Sequence, residues 1–162
     1  MVVVTPVADD FTAWVEPHVP AMARYAARLV SAADCEDVVQ EAMLRAWQRW
    51  ETYDDARGTP LVWLLAIVRD RARRHRRGTR TTEPLPELAG AEPVAADLDL
   101  ERALRRLTAR QRSAVDLHYF VGLDIATVAA VMGCAPGTVK ATLHQARDRL
   151  RELIGGDDDD TA

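Results

Sequence analysis

The chain is poor in the residues that build small secreted or metal-stapled folds. It has two cysteines in 162 residues, Cys35 and Cys134, far apart and without CxxC or Cys–His spacing. That excludes a disulfide framework and a zinc knuckle. Each cysteine is read as a small apolar filler, and a cytoplasmic location fits such sparse cysteine use. Glycine and proline number eight each and gather in a few places. The windows between them show helical, not alternating, periodicity, which argues against strands. Long apolar runs are also missing. The longest, LVWLLAIV at 61–68, falls far short of the roughly 20 residues that cross a bilayer, so no membrane insertion is expected. The opening MVVVTPVADDF lacks a basic segment ahead of an apolar one and does not read as a signal peptide. What remains is ordinary: 48% hydrophobic residues, enough for a packed core and too many for a disordered chain. The fold class is all-α.

The net charge of −4 argues at first against a polyanionic partner. Its distribution argues the other way. Asp157 to Asp160 form an acidic tail, and without them the chain is neutral. Acids gather in DCEDVVQE at 34–41. Seven arginines gather in the twelve residues of RDRARRHRRGTR at 69–80, opposed there only by Asp70. Local patches decide where a partner docks.

Along the chain, Phe11, Trp14, Val15, His18, Val19, Met22, Tyr25, Ala26 and Leu29 form one stripe and predict a helix over 11–30. A second helix starts near Asp34 as N-cap and runs to Trp50, burying Val39, Met43, Ala46 and Trp50. Thr59 caps and Pro60 opens a third helix, which starts apolar and ends in the arginine comb near 77. Cations at a helix C-terminus suit its dipole, but seven arginines exceed that need. Residues 78–97, rich in proline and small residues, read as an extended linker. The modules are therefore 10–77 and 98–154, followed by the tail 155–162. In the second module, Thr108 and Gln111 form a capping box for a helix ending near Gly122. Asp124 caps IATVAAVM, which stops at Gly133.

The pair that follows, a short helix, a break at 133–135 and a longer helix, has helix-turn-helix spacing. Val139, Leu143, Ala146, Leu150 and Leu153 make the inner stripe of that last helix. Lys140, Thr142, His144, Gln145 and Arg147 fall outside it, and Gly137 and Thr138 sit at its start. Such a face is either simply solvated or reads base edges and phosphates.

DCEDVVQEAMLRAWQRWETYDDARGTPLVWLLAIVRDRARRHRR closely resembles conserved region 2 of the sigma-70 family. LTARQRSAVDLHYFVGLDIATVAAVMGCAPGTVKATLHQARDRLREL resembles region 4. Nothing resembles regions 1.1 or 3. The layout is similar to the extracytoplasmic-function, or group 4, sigma factors of bacteria. The resemblance implies core RNA polymerase and promoter DNA as partners, often an anti-sigma factor, no cofactor or metal, and no catalysis. It implies a docking face for core polymerase at Asp37, Gln40 and Glu41. It implies minus-10 recognition by the loop YDDARGTP, with Arg57 and Thr59 as its candidates, and promoter-backbone contacts by Arg69, Arg73, Arg76 and Arg77. Trp63 is a further minus-10 candidate, although packing in the core explains an aromatic there more simply. Minus-35 reading falls to Gly137, Thr138, Lys140, Thr142, His144, Gln145 and Arg147. The family often has Lys/Arg-Ser-Arg where this chain has Lys140, Ala141 and Thr142, and a further Arg where it has Gln145, so its minus-35 sequence does not transfer. Two other classes compete: a plain helix-turn-helix regulator that works without polymerase, and an enzyme on a helical scaffold. The acidic helix and arginine comb speak against the first, and the lack of clustered inward polar residues against the second.

Overall fold

The computed structural model describes residues 6–78 and 95–155. These contain helices and turns and no strand among the described residues. The chain divides into two compact units, one holding 6–78 and the other 95–155. Most of the expected linker and nearly all of the acidic tail lie outside the described residues. The expected linker edges are corrected, because Gly78 still belongs to a helix and the next one already begins at Ala95.

Among the described residues the first unit has four α-helices: α1 (Pro6–Val15), α2 (Val19–Leu29), α3 (Ala32–Arg49) and α4 (Pro60–Gly78). The single helix expected over 11–30 is in fact two, joined by a 3-10 turn at Glu16–His18. Pro17 opens that turn and Pro20 sits in the first turn of α2. Each lacks an N–H and fixes φ, so each is accepted at a helix start and disrupts a helix interior. The stripe still points inward, with Phe11, Val15, Met22, Tyr25 and Ala26 buried.

The cap of α3 is also corrected. Ser31, not Asp34, is the N-cap: its Oγ accepts from the Asp34 N–H at 3.2 Å. Its hydroxyl donates to the Asp34 carboxylate at 2.5 Å. That bond, with His75 beside it, holds the Asp34 carboxyl below the usual carboxylate range. Val38, Val39, Ala42 and Ala46 are the buried line of α3, while Met43 and Trp50 are only half-buried. α4 packs on α2 and α3 through Leu64, Leu65, Ile67, Val68 and Ala72. Burying a leucine or valine completely contributes about 1.5–3 kcal/mol, so α4 is the main fastener of this unit.

The second unit has α5 (Ala95–Arg105), α6 (Ala109–Val115), α7 (Ile125–Met132) and α8 (Pro136–Gly155). The capping box is present. The Gln111 N–H donates to Thr108 Oγ at 3.2 Å, and the Thr108 N–H donates to Gln111 Oε1 at 3.1 Å. The helix does not run evenly to Gly122, because Asp116–Phe120 widens into a π-turn. Asp124 caps α7, accepting from the Thr127 N–H at 2.7 Å. Gly133 ends it with φ +66°, a left-handed conformation that favours glycine. Val128, Ala129, Val131, Val139, Leu143 and Ala146 close the core. Both cysteines are half-buried, and burial pushes the Cys35 thiol up.

Candidate functional site

Three surfaces and the arginine comb of α4 gather the residues singled out from the sequence. On α3, Asp37, Gln40 and Glu41 are all exposed, on the side away from Val38 and Ala42. Together with Leu44 they line a shallow depression. Leu44 is 55% exposed and Trp47 is 50% exposed, and both continue the same line at helical spacing. Large apolar groups set out in water beside acids form a surface suited to a partner. Sequence reasoning missed both. The available signal was that Leu44 and Trp47 fall outside the buried stripe. A second depression runs from Glu41 and Leu44 past Arg45 and Gln48 to Arg71 and Arg74 of α4.

The second surface is the loop between α3 and α4. Two 3-10 turns, Trp50–Thr52 and Asp55–Arg57, lead to Gly58 at φ +146°. Tyr53 ties the loop shut, its hydroxyl donating to the Gly58 carbonyl at 2.9 Å. Its ring packs 5.1 Å from Trp14 and 5.4 Å from Trp63, centroid to centroid. Desolvation, then Asp55 and Asp54, push the Tyr53 phenol up to about 12. Arg57 and Thr59 stand exposed at the rim. Trp63 is half-buried in the cluster with Trp14 and Tyr53, so its packing role is in place. Tyr53 lies within the loop expected from the sequence, but its anchoring role was not foreseen, and Trp14 was not foreseen as part of this surface.

The comb on α4 is less uniform than its sequence. Arg71 and Arg74 both turn to Asp70, at 3.0 and 3.2 Å. His75 reaches back to Asp34 at 3.3 Å, tying the end of α4 to the start of α3. Arg69 is half-buried, and Arg76 is exposed; both are engaged in interactions of their own. Arg73 and Arg77 are exposed and in no ion pair among the described residues.

The third surface is on α8. α7 and α8 meet at a bend of 99° across the Gly133 break, the angle of a helix-turn-helix. α8 is the longer member and carries the polar face.

Two family models match the chain: Sigma-70 region 2 over residues 14–82, and Sigma-70, region 4 over residues 97–150. The ECF RNA polymerase sigma factor SigL of Mycobacterium tuberculosis is 36% identical over 148 residues, covering 84% of each chain. The RNA polymerase sigma-E factor of Streptomyces coelicolor is 33% identical, covering 90% of this chain and 86% of its own. The chain belongs to the ECF sigma factors of the sigma-70 family. It is an alternative sigma factor, which directs promoter-specific transcription initiation by RNA polymerase. Solved structures agree. CnrH, in complex with the cytosolic domain of CnrY, matches with a TM-score of 0.69 at 26% identity, over 91% of this chain and 88% of its own. RpoE from Bartonella quintana, in complex with the anti-sigma factor NepR, matches with a TM-score of 0.67 at 28% identity, over 90% of this chain and 97% of its own.

On the sigma factor's α8, Gly137, Lys140, His144, Gln145 and Arg147 are exposed and Thr138 is half-buried. Thr142 is corrected: it is only 6% exposed and cannot face a groove. It lies three residues from Val139 and four from Ala146, inside the apolar arc. Its hydroxyl donates to the Thr138 carbonyl at 2.8 Å, so the polar group is satisfied in place. The acids of α8 are tied within the helix. Asp148 meets His144 at 2.7 Å and Arg151 at 2.8 Å, and Glu152 meets Arg149 at 2.9 Å. Lys140 and Arg147 are in no ion pair among the described residues. No group of three metal-ligating side chains occurs there either, and no single described helix is long and apolar enough to cross a membrane.

Proposed function

We propose that the three surfaces and the α4 comb divide the work of initiation. Asp37, Gln40 and Glu41, extended by Leu44 and Trp47, dock on core polymerase. The acids steer towards a basic surface and the two apolar side chains supply desolvated contact. Arg57 and Thr59, on the loop that Tyr53 closes, hold an extruded minus-10 base. Unpairing costs a few kcal/mol, and a preformed pocket offsets it. Arg73 and Arg77 bind promoter backbone, with Arg69 and Arg76 placed beside them. Gly137, Lys140, His144, Gln145 and Arg147 meet the minus-35 major groove, with Thr138 at the helix start near a phosphate.

The protein acts in the cytoplasm as a regulator and catalyses nothing itself. An anti-sigma factor covers some of these surfaces when transcription is off. The support is that two similar structures are complexes, one with an anti-sigma factor and one with the cytosolic domain of CnrY.

The observation that carries this reading is the α3 face. Acids and large apolar side chains stand together in water there, off the packing stripe. A plain helix-turn-helix regulator has no use for it. The test is Asp37→Lys with Glu41→Lys. Both positions are exposed, so helical content should stay unchanged. Retention of core polymerase in a pull-down, and run-off transcription, should both be lost. Full transcription by the double variant would move the docking face elsewhere.

A further inference from the structure

Asp148 is out of place on a helix face that meets DNA. A carboxylate there repels phosphates, and nothing in the core needs it. Yet both of its oxygens are used: Oδ2 lies 2.7 Å from His144 Nδ1, and Oδ1 accepts from Arg151 at 2.8 Å. An ionised carboxylate only accepts hydrogen bonds, so the His144 nitrogen facing it carries the proton. A neutral imidazole has one donor nitrogen and one acceptor nitrogen. With Nδ1 as donor, Nε2 is the acceptor and the ring's one remaining polar atom. The Arg151 bond fixes the carboxylate from its other side, so the ring is held by a group that is itself held.

We infer that Asp148 is a positioning and specificity-determining residue, which acts through His144 to make this face read a base with an exocyclic amino group. In the major groove the donors are cytosine N4 and adenine N6. Guanine offers N7 and O6, and thymine offers O4, all acceptors. A ring locked with Nε2 as acceptor pairs with cytosine or adenine and leaves guanine or thymine at that place unpaired. A ring free to exchange its proton between nitrogens discriminates less. The inference rests on the reading of α8 as the minus-35 reader. It adds that the specificity at one position is set by a residue that need not touch DNA.

Stability is not the issue. His144 is 70% exposed and Asp148 45%, and a pair this open adds little to folding. Removing it should leave the fold intact, so a change in preference reports on recognition.

The experiment has two arms, both at pH 8, where an ordinary imidazole is neutral. In the first, long-range proton–nitrogen NMR of the full chain reads the tautomer of each histidine, with His144→Gln assigning the signal. Wild type should show His144 protonated at Nδ1, and Asp148→Ala should show a mixture. In the second, holoenzyme transcribes a promoter library randomised at minus-35. Wild type should prefer cytosine or adenine at one position by about three- to tenfold, the worth of one hydrogen bond. Asp148→Ala should cut that below about twofold, and His144→Ala should do the same at the same position. The double variant should lose no more than either single one, because the two act as a unit. Asp148→Asn, whose carbonyl can still accept from Nδ1–H, should restore most of the preference. A wild-type ring protonated at Nε2 overturns the proposal. So does an unchanged preference in Asp148→Ala and His144→Ala while Gln145 or Arg147 substitutions do alter recognition. If no substitution on the α8 face alters recognition, the minus-35 reading fails and the proposal fails with it; the tautomer arm then still records what Asp148 does to the ring.

Discussion

The two units handle charge in different ways. In the first, each helix presents one sign on the face proposed for a partner, Asp37 and Glu41 on α3 and Arg73 and Arg77 on α4, while Asp70 holds Arg71 and Arg74 within α4. In the second, α8 mixes signs and neutralises most of them within itself. Arg149 and Arg151 are bound to Glu152 and Asp148, leaving Lys140 and Arg147 outside any ion pair among the described residues. Aromatics divide the same way. All four tryptophans lie in the first unit, and Trp14, Trp50 and Trp63 join Phe11 and Tyr53 in one cluster beside the loop. The first unit is thus built to present strong charge and a rigid aromatic platform. The second presents short polar groups of fixed geometry. In the proposed division of work, the first docks on a protein and holds unpaired DNA, and the second reads base edges.

The largest effect should come from the core that keeps the first unit's surfaces in register. Leu65 is fully buried where α4 meets its neighbours. Leu65→Ala should cost about 2–5 kcal/mol through lost burial and the cavity left behind. Val128→Ala, equally buried in the second unit, should cost less because fewer methyl groups are removed. Calorimetry with proteolysis checks whether each substitution loosens its own unit first. Loosening of both units to the same extent by either would erase the division on which the comparison stands.

A smaller effect separates the two ways of carrying charge. Arg73→Ala with Arg77→Ala should lower the slope of log affinity against log salt by about two, for holoenzyme on promoter DNA, and Arg147→Ala by about one. Gln145→Ala should barely change the slope. It should instead alter preference at one minus-35 position, by about 1–3 kcal/mol if its contact is bidentate. A salt slope that responds equally to all three would blur docking charge and reading face into one.

Much of this was legible in the sequence. The capping box at Thr108 and Gln111, the Asp124 cap and the Gly133 stop are local devices, and local chemistry decides them. The two-part layout followed from motifs at a fixed separation. The rest depended on competition. Pro17 and Pro20 were visible, but the apolar stripe runs straight through them, and periodicity alone does not show that the axis breaks. Ser31 outcompetes Asp34 as a cap because its hydroxyl bonds both the backbone and the carboxyl of Asp34. The π-turn at Asp116–Phe120 has no periodic signature. Leu44 and Trp47 looked like ordinary apolar residues of a helix until packing showed which side was in use. Arg71, Arg74 and His75 read as part of a cationic comb until Asp70 and Asp34 were seen to hold them.

The loop anchor gives a subtler test of the first unit's rigidity. Tyr53→Phe removes the bond to the Gly58 carbonyl while leaving the ring in place, at a cost of about 0.5–1.5 kcal/mol. Amide exchange should quicken at 54–58 and stay unchanged in α2. The phenol also links stability to pH. Folding pushes it up to about 12, above its ordinary value near 10, so the folded state holds the proton longer. Its contribution is complete below pH 10 and is lost as pH rises towards 12. The pH dependence of stability in that window should be shallower in Tyr53→Phe than in wild type.

The smallest effect belongs to Thr142, and it decides where the proposed reading face of α8 ends. The side chain is buried, and its hydroxyl donates to the Thr138 carbonyl. That carbonyl also accepts the ordinary helical bond from the Thr142 N–H, so it keeps a partner without the hydroxyl. Valine has nearly the shape of threonine, and both are β-branched, so their helix propensities are close. Thr142→Val removes one buried hydroxyl together with the need to satisfy it, and a paired removal of this kind is close to neutral. Stability should therefore change by less than about 1 kcal/mol, and minus-35 preference should not change. Gln145→Ala in the same library is the control that must change it. Altered preference in Thr142→Val at constant stability would mean that the helix turns this side chain outward on DNA, and would return it to the reading face.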